Sequence, residues 1–262
     1  MTKLLVASVM LLFSCAGLKA QIEKIDTDRP DQTESAFTVP AGWLQCELGL
    51  SKEKYGSGPS ILNSWTLPTL LTRYGLSKKW ELRLITEYVR WGNQHRLYAD
   101  TIGLLPVQVG FKVNFVEEKG IIPRISLIGH AGFNRLSSKL VNAHFGSFFS
   151  PRLCFTFQNS LSERIAIGYN LGVEWADTNE SPVWFYTFAP GFTLGEKWYA
   201  YIEAFGSFEK NEKAQHTFDI GVAYYLNDNT KFDLSGGVGI AGSIPNNYIA
   251  IGLSFRCNTK KK

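Results

Sequence analysis

Ser126 and His130 come closest to a catalytic pair, a nucleophile and a base within one segment of alternating residues. On a β-strand, two residues four positions apart share a face but lie about 13 Å apart, too far for the hydrogen bond that activates a serine. The sequence contains neither G-x-S-x-G nor H-E-x-x-H. We therefore predict no catalytic residues, and an enzyme acting on lipid is the least favoured class of function.

Two further patterns fail as cofactor or metal sites. The segment GVGIAG, Gly237–Gly242, fits G-x-G-x-x-G but leads into SIPNN, not into a helix whose N-terminus could hold phosphates. Cys46, Cys154 and Cys257 are widely separated and form no C-x-x-C pair, so they indicate neither a disulfide framework nor a metal site. The sequence thus predicts no cofactor and no metal.

The charged residues follow a different pattern, because most of them alternate with apolar ones. In RIAIGYNLGVEW, 164–175, every second residue is apolar or aromatic, and 106–115 and 217–226 repeat the pattern. A period of two is typical of strands with two different faces. If the polar face surrounds water, the residues lining the lumen are Glu47, Arg73, Glu81, Arg83, Glu87, Lys112, Arg124, His130, Arg152, Arg164, Glu174, Asp219, Lys231 and Asp233. Both signs of charge are present, so we expect at most weak charge selectivity.

About twelve such segments can be recognised. They lie near 42–50, 65–76, 80–91, 104–115, 121–133, 148–158, 164–175, 183–194, 198–208, 216–226, 231–240 and 247–256. Tight connections alternate with longer ones, and the first of the long set is SKEKYGSGPSILNS, 51–64. Short turns at one end and longer loops at the other are typical of outer-membrane barrels.

Three features indicate that the apolar face points outward. All tryptophans fall at predicted strand ends, as in an aromatic girdle: Trp43, Trp65, Trp80, Trp91, Trp175, Trp184 and Trp198. Segments of about ten residues match a membrane span, and a dozen strands enclose more volume than apolar side chains could fill. The predicted fold is all-β, a closed antiparallel up-and-down transmembrane β-barrel of about 12 strands over 42–256. An exported soluble β-sandwich is the alternative.

Residues 1–20 resemble a signal peptide, with a positive start at Lys3, an apolar core and a small-residue exit. A lipoprotein modified at Cys15 is the alternative. The formal net charge of +4 falls to +2 without the two lysines of the leader, which argues against nucleic acid as a partner. The last strand, YIAIGLSF, resembles the terminal signal read by barrel-assembly machinery, and a basic tail, 257–262, follows it. The predicted location is the outer membrane, with its lipids, that machinery and an unidentified small-molecule solute as partners.

Residues 21–41 form a polar segment ahead of the first strand. The stretch TDRPDQTESAFTVPAGWLQCELGL resembles the start of the outer-membrane transporter family of the meta-pathway of phenol degradation. The likeness is carried by Thr27, Asp28, Arg29, Pro30, Asp31, Thr33, Ser35, Thr38, Val39, Pro40, Gly42 and Gln45. This resemblance implies an outer-membrane β-barrel that passes small molecules, without an established substrate or catalytic residues.

We interpret the polar segment as a plug at the periplasmic mouth or in the lumen. Asp28, Arg29, Asp31 and Glu34 would then pair with charges of the inner wall, while the prolines exclude the segment from the sheet. A plain tether is the alternative. The predicted function is a channel or transporter for small solutes, aromatic or anionic ones being the first candidates. A structural or adhesive surface barrel without transport is the alternative function.

Overall fold

The computed structural model describes residues 24–56, 62–93, 101–133, 149–175, 181–242 and 246–260, so the predicted leader, 1–20, lies outside the described residues. The strands are β1 Trp43–Tyr55, β2 Leu62–Gly75, β3 Trp80–Asn93, β4 Thr101–Leu104, β5 Val107–Val116, β6 Arg124–Phe133, β7 Ser150–Ser160, β8 Ile165–Glu174, β9 Val183–Leu194, β10 Trp198–Phe208, β11 Gln215–Asn227, β12 Thr230–Ala241 and β13 Asn247–Asn258. Within these ranges, no helix has the length and apolar character needed to cross a membrane.

The strands form one closed antiparallel sheet. Except at β4, strands that are neighbours in sequence pair with each other, and β1 pairs with both β2 and β13, which completes the circle. The short β4 and the longer β5 both pair with β3 and are separated only by Leu105 and Pro106. Because proline has no N–H to donate, the ladder breaks there, and β4 and β5 together make one crossing. The predicted closed barrel of twelve crossings is therefore confirmed.

The alternation of residues gives the wall two chemically different faces. On β8, Leu171 is exposed on the outside while Asn170 is buried inside. On β11, Ile220 is exposed and Asp219 is buried, and the same alternation recurs around the circle. A closed sheet pairs its backbone groups from strand to strand, which lipid demands, and this leaves the outer face free for apolar contact.

Two predicted boundaries are wrong. The predicted long loop, 51–64, is mostly strand, because β1 continues to Tyr55 and pairs through Lys52 with Trp65 of β2. The apolar period fades there because lysines replace apolar residues on the outer face. The predicted basic tail, 257–262, begins inside β13, since Cys257 pairs with Leu44 of β1. β13 extends beyond its apolar pattern because the first residues of β1, Trp43 and Leu44, still pair with it.

The first and last described residues and the short turns lie at one end of the barrel, which we call the terminal end. The turns there include 76–79, 195–197 and 228–229, whereas β3 and β6 end, and β4 and β7 begin, at the opposite, loop end. Trp43, Trp80 and Trp198 begin β1, β3 and β10 at the terminal end. Trp65 and Trp184 lie near the loop ends of β2 and β9. Tryptophans at both rims are typical of the girdles that flank a lipid-facing band.

Candidate functional site

Residues 24–41, the N-terminal segment, lie inside the barrel. At the terminal end, the N–H of Ile25 donates to the carbonyl of Asp228 at 2.8 Å, and the N–H of Trp43 donates to the carbonyl of Pro40 at 3.0 Å. Between these points the segment reaches Thr187, in the loop-end half of β9, through the hydroxyl of Thr33. The segment therefore enters and leaves at the same end and folds back at mid-lumen.

Two carboxylates of the wall hold the backbone of the segment. Glu47 accepts hydrogen bonds from the N–H groups of Asp28 at 2.9 Å and Arg29 at 3.2 Å. Glu81 accepts one from the N–H of Val39 at 2.8 Å. Both carboxylates are buried. A segment outside the sheet has no ladder to satisfy its N–H groups, and these side-chain acceptors replace the ladder.

A third wall carboxylate, Glu203 of β10, binds the turn of the segment. It accepts from the N–H of Gln32 at 2.8 Å and from the hydroxyl of Thr33 at 2.6 Å. The prediction missed Glu203 because WYAYIEAFGSF carries aromatic residues at both parities, which hid the inward face. Its parity with Tyr201, which is buried inside, would have identified it.

Asp28 is the electrostatic centre of the segment. Its carboxylate lies 2.6 Å from Arg83, 3.0 Å from Lys112 and 3.5 Å from Arg73, all of which project from the wall. Burial opposes ionisation of this carboxyl, but the three cations outweigh it and hold the pKa of Asp28 well below its ordinary value. Asp28 is therefore ionised when it is docked.

The wall around this site carries an excess of positive charge. Arg73 also pairs with Glu47 at 3.0 Å and with Glu81 at 2.8 Å, and Arg83 contacts Glu81 at 3.1 Å. Three wall cations thus face two wall carboxylates, with Lys112 as the third cation. The carboxylate supplied by the segment balances the cluster, so this part of the wall is complementary to the segment.

Glu34 links the segment to the loop-end half of the lumen. Its carboxylate lies 2.7 Å from Arg83 and 3.5 Å from Arg152 of β7. Arg152 also pairs with Glu174 of β8 at 3.4 Å, and its guanidinium lies over the ring of Phe185, 4.4 Å from the ring centre. The cations outweigh burial and lower the pKa of Glu34. Arg152 therefore links the segment to the neighbouring strand β8.

Arg29 anchors the other side of the segment. Its guanidinium lies 3.1 Å from Asp233 of β12, and its carbonyl accepts from the ammonium of Lys231 at 2.8 Å. Two glycines of the wall leave room for this side chain. A Cβ added at Gly49 would lie 2.2 Å from the guanidinium, and one added at Gly252 would lie 2.5 Å from it. Neighbouring strands thus supply both the charge and the space for Arg29.

Asp31 differs from Asp28 and Glu34 in its protonation. Burial raises the pKa of Asp31 to about 8, although the nearby ammonium of Lys231 opposes the shift. Its carboxyl is therefore largely protonated at neutral pH. Asp28 and Glu34 stay ionised under the same conditions, so the segment contains acids of two protonation states.

We expect docking of the segment to weaken as the pH rises from 6 to 8. The docked state holds a proton on Asp31 that the undocked state has already lost above the ordinary value of 3.8. Its contribution therefore falls with rising pH by at most about 1.4 kcal/mol per unit and levels off above 8. The measurement is the frequency of channel opening in planar bilayers at pH 6, 7, 8 and 9. Asp31→Asn cannot titrate at this position and should show a shallower profile; an equal slope in both proteins contradicts the assignment.

Most of the predicted lumen-lining residues are buried or half-buried on the inner face. Those that are buried are Glu47, Arg73, Glu81, Arg83, Lys112, His130, Asp219, Lys231 and Asp233, and those that are half-buried are Glu87, Arg124, Arg152 and Glu174. The placement of Arg164 was wrong: it is exposed in the turn before β8. Its carbonyl still accepts from the N–H of Thr193 at 2.8 Å, but its side chain lies before the first residue of β8 and is open to solvent.

Ser126 and His130 have separate partners. The hydroxyl of Ser126 donates to the carbonyl of Ala36 at 2.6 Å, and Nε2 of His130 accepts from Arg83 at 3.0 Å. Both side chains therefore support the docked segment or its partners. In the described part of the chain, no group of three or more His, Cys, Asp or Glu residues is arranged to hold a metal ion.

Cavities remain on both sides of the turn of the segment. A cavity of about 230 Å³ lies between the segment and the inner wall, where Ala166, Gly168 and Ala189 provide little side-chain volume. Toward the loop end, cavities of about 320 Å³ and 170 Å³ both contact Arg152 and Glu174. Because Glu34 lines the first cavity and Arg152 lines the other two, their ion pair stands between them.

Solved structures share this fold at low sequence identity. An outer membrane channel from Pseudomonas putida F1 has a TM-score of 0.68 at 9% identity, over 89% of this chain and 100% of that one. The NanC porin has a TM-score of 0.54 at 11% identity, over 81% and 98%. The translocator domain of the autotransporter NalP from Neisseria meningitidis has a TM-score of 0.53 at 10% identity, over 84% and 90%. These likenesses establish the barrel fold.

The family comparison covers both the barrel and its plug-like segment. No curated protein matches the chain significantly. A family pattern, in contrast, matches residues 27–257, which begin within the N-terminal segment and end in β13. The chain therefore belongs to the family described as "Putative MetA-pathway of phenol degradation".

Proposed function

We propose that the protein is an outer-membrane channel for small solutes, and that its N-terminal segment narrows the lumen. The observation that carries the proposal is the closed wall with an apolar outer face and a charged, cavity-containing interior. In a membrane such a wall excludes lipid from the lumen and admits water to it. The short turns then face the periplasm and the longer loops face outward. We infer transport, not catalysis, because the candidate pair Ser126 and His130 is engaged elsewhere.

The path for a solute follows the space beside the segment. It runs from the loop-end cavities, past Arg152, into the cavity beside Gly168 and Ala189. The lining is mixed, with charged groups on the segment and small side chains on the wall. Since the wall cations Arg73 and Arg83 are already paired with carboxylates, they contribute little net field to this path. The proposed solute class is small and need not be anionic, and charge selectivity is weak.

Arg152→Ala is expected to raise the single-channel conductance of refolded protein in planar bilayers roughly twofold, because it removes the side chain that stands between the cavities. The side chain of Arg152 is 33% exposed, so its loss should leave the barrel folded. Arg164→Ala is the matched control, since that arginine lies exposed in a turn and should leave the conductance unchanged.

Conductance of the wild-type protein distinguishes transport from a purely structural or adhesive barrel. Small but reproducible conductance steps that increase in Arg152→Ala support a channel. Protein that inserts into the bilayer yet carries no current, in both the wild type and Arg152→Ala, contradicts the proposed function. Heat-modifiable migration in gels confirms that the compared proteins are folded.

A further inference from the structure

Four side chains on the outer face form a basic patch at the loop end: Lys52, Lys54, Trp65 and Arg90, here called the outer basic patch. Lys52 of β1 pairs in register with Trp65 of β2, and Trp65 pairs with Arg90 of β3. The ammonium of Lys52 lies 4.7 Å from the centre of the Trp65 ring. The patch therefore forms a cross-strand row in which an aromatic ring stands between two cations.

The patch lies at the edge of the apolar band. On β1, the outward positions before the lysines are Leu48 and Leu50, the latter exposed. The acid between the two lysines, Glu53, has the opposite parity and is held by the hydroxyls of Ser51 and Tyr55. The outer face here therefore presents positive charge on the loop-end side of the apolar surface.

A groove of about 660 Å³ lies beside the patch. Lys52, Lys54 and Asn247 line its polar end. Its apolar wall consists of Phe218, Ile220, Val238 and Ile249. The groove is hollow at Gly236, an outward position of β12 that has no side chain to fill it. The lumen-facing residues Glu53, Asp219 and Tyr248 also contribute to its lining, and the carboxylate of Asp219 accepts from the hydroxyls of Tyr201 and Tyr248.

The groove continues along the apolar face. A second groove of about 540 Å³ shares Ile220, Gly236 and Ile249 with the first and extends between Ile202 and Leu234. The two together form an apolar channel on the surface, with cations at one end. A lipid with a negatively charged headgroup matches this arrangement in both its parts.

We propose that the outer basic patch and its groove bind a phosphorylated glycolipid of the outer leaflet. The phosphate accepts charge-assisted hydrogen bonds from Lys52 and Lys54, with Arg90 adding charge, and an acyl chain lies along Ile220 and Ile249. The proposal rests on the membrane placement in the proposed function, since only a barrel in lipid presents this face to acyl chains. It does not depend on whether the lumen conducts.

The test measures binding of bis-phosphorylated lipid A to the detergent-solubilised barrel by native mass spectrometry. Lys52→Gln combined with Lys54→Gln should lower the retained lipid A about tenfold, because two charged donors are lost. Lys78→Gln combined with Lys119→Gln is the matched control: it removes the same charge from exposed turns at the terminal end. This control should bind as the wild type does, and dephosphorylated lipid A should bind poorly to all three proteins.

Two results overturn the proposal. Equal binding by the wild type and the Lys52/Lys54 variant shows that the patch does not recognise the phosphate. Equal binding of phosphorylated and dephosphorylated lipid shows that the groove holds chains without reading the headgroup. Conductance recorded on the same preparations separates the two proposals: lipid A binding without current contradicts the channel alone, and current without lipid A binding contradicts this site alone.

Discussion

Removal of residues 26–40 is expected to raise the single-channel conductance several-fold and to shift selectivity toward anions. The deletion empties the lumen that the N-terminal segment now occupies, between Glu47 on one wall and Glu203 on the other. A barrel of this size is wide enough to conduct once nothing fills it. The deletion also removes the carboxylates of Asp28 and Glu34, which now neutralise wall cations.

Selectivity follows from the charges left behind. Arg73, Arg83 and Lys112 would face only Glu47 and Glu81 as nearby wall carboxylates. The excess positive charge then lines an aqueous pore and favours anions. Reversal potentials across a salt gradient should therefore move in the anion direction, while the wild type shows weak selectivity of either sign.

A length-matched variant distinguishes a plug from a tether. Replacing residues 27–39 with a glycine–serine linker keeps the chain length but removes the side chains of Asp28, Arg29 and Glu34, which form ion pairs with the wall. If docking by specific contacts closes the lumen, this variant should conduct like the deletion. Wild-type conductance in the linker variant, or in the deletion itself, contradicts a plug and leaves only a tether.

The architecture was predictable because its rule is local and repeats. Each crossing carries the period of two, so the face of Leu171 or Asp219 follows from parity alone. The prediction failed where the period fades or is extrapolated. Lys52 and Lys54 replace apolar residues at the rim and hid the end of β1, and the parity of β8 was extended to Arg164, which lies in a turn.

Which charged residues pair with each other could not be predicted from the sequence, for a different reason. Parity assigns Arg73, Arg83 and Lys112 to one face, but register decides which of them converge, and register depends on pairing around the whole circle. The path of the N-terminal segment has no period at all. Its acids were recognisable as partners for wall charges, but the choice of Asp28 as the centre depends on distances that only the closed barrel sets.

Asp28→Asn is expected to release the N-terminal segment without unfolding the barrel. The substitution keeps the size of the side chain but removes the charge that Arg73, Arg83 and Lys112 surround. Breaking a buried ion cluster on one side costs about 3 kcal/mol or more, because the remaining charges stay uncompensated. Such a loss corresponds to roughly a hundredfold more frequent undocking. Bursts of high conductance should therefore become frequent in planar bilayers.

Acid should not reproduce this effect in the wild type at moderate pH. The pKa of Asp28 is lowered in the docked state, so its stabilising contribution is complete above the ordinary carboxyl value and disappears only as the pH falls through the lower, docked value. Between pH 5 and 8 the wild type should therefore keep the contribution that Asp28→Asn lacks.

Asp228→Asn is the matched control, because it makes the same chemical change at an exposed turn where only the backbone carbonyl contacts the segment. Bursts as rare in Asp28→Asn as in Asp228→Asn would show that the wall cations do not depend on this carboxylate. The segment would then be held by its backbone contacts to Glu47, Glu81 and Glu203, and its acids would merely accompany them. Frequent bursts in Asp28→Asn but not in Asp228→Asn would identify the buried carboxylate of Asp28 as the group that keeps the segment docked in the lumen.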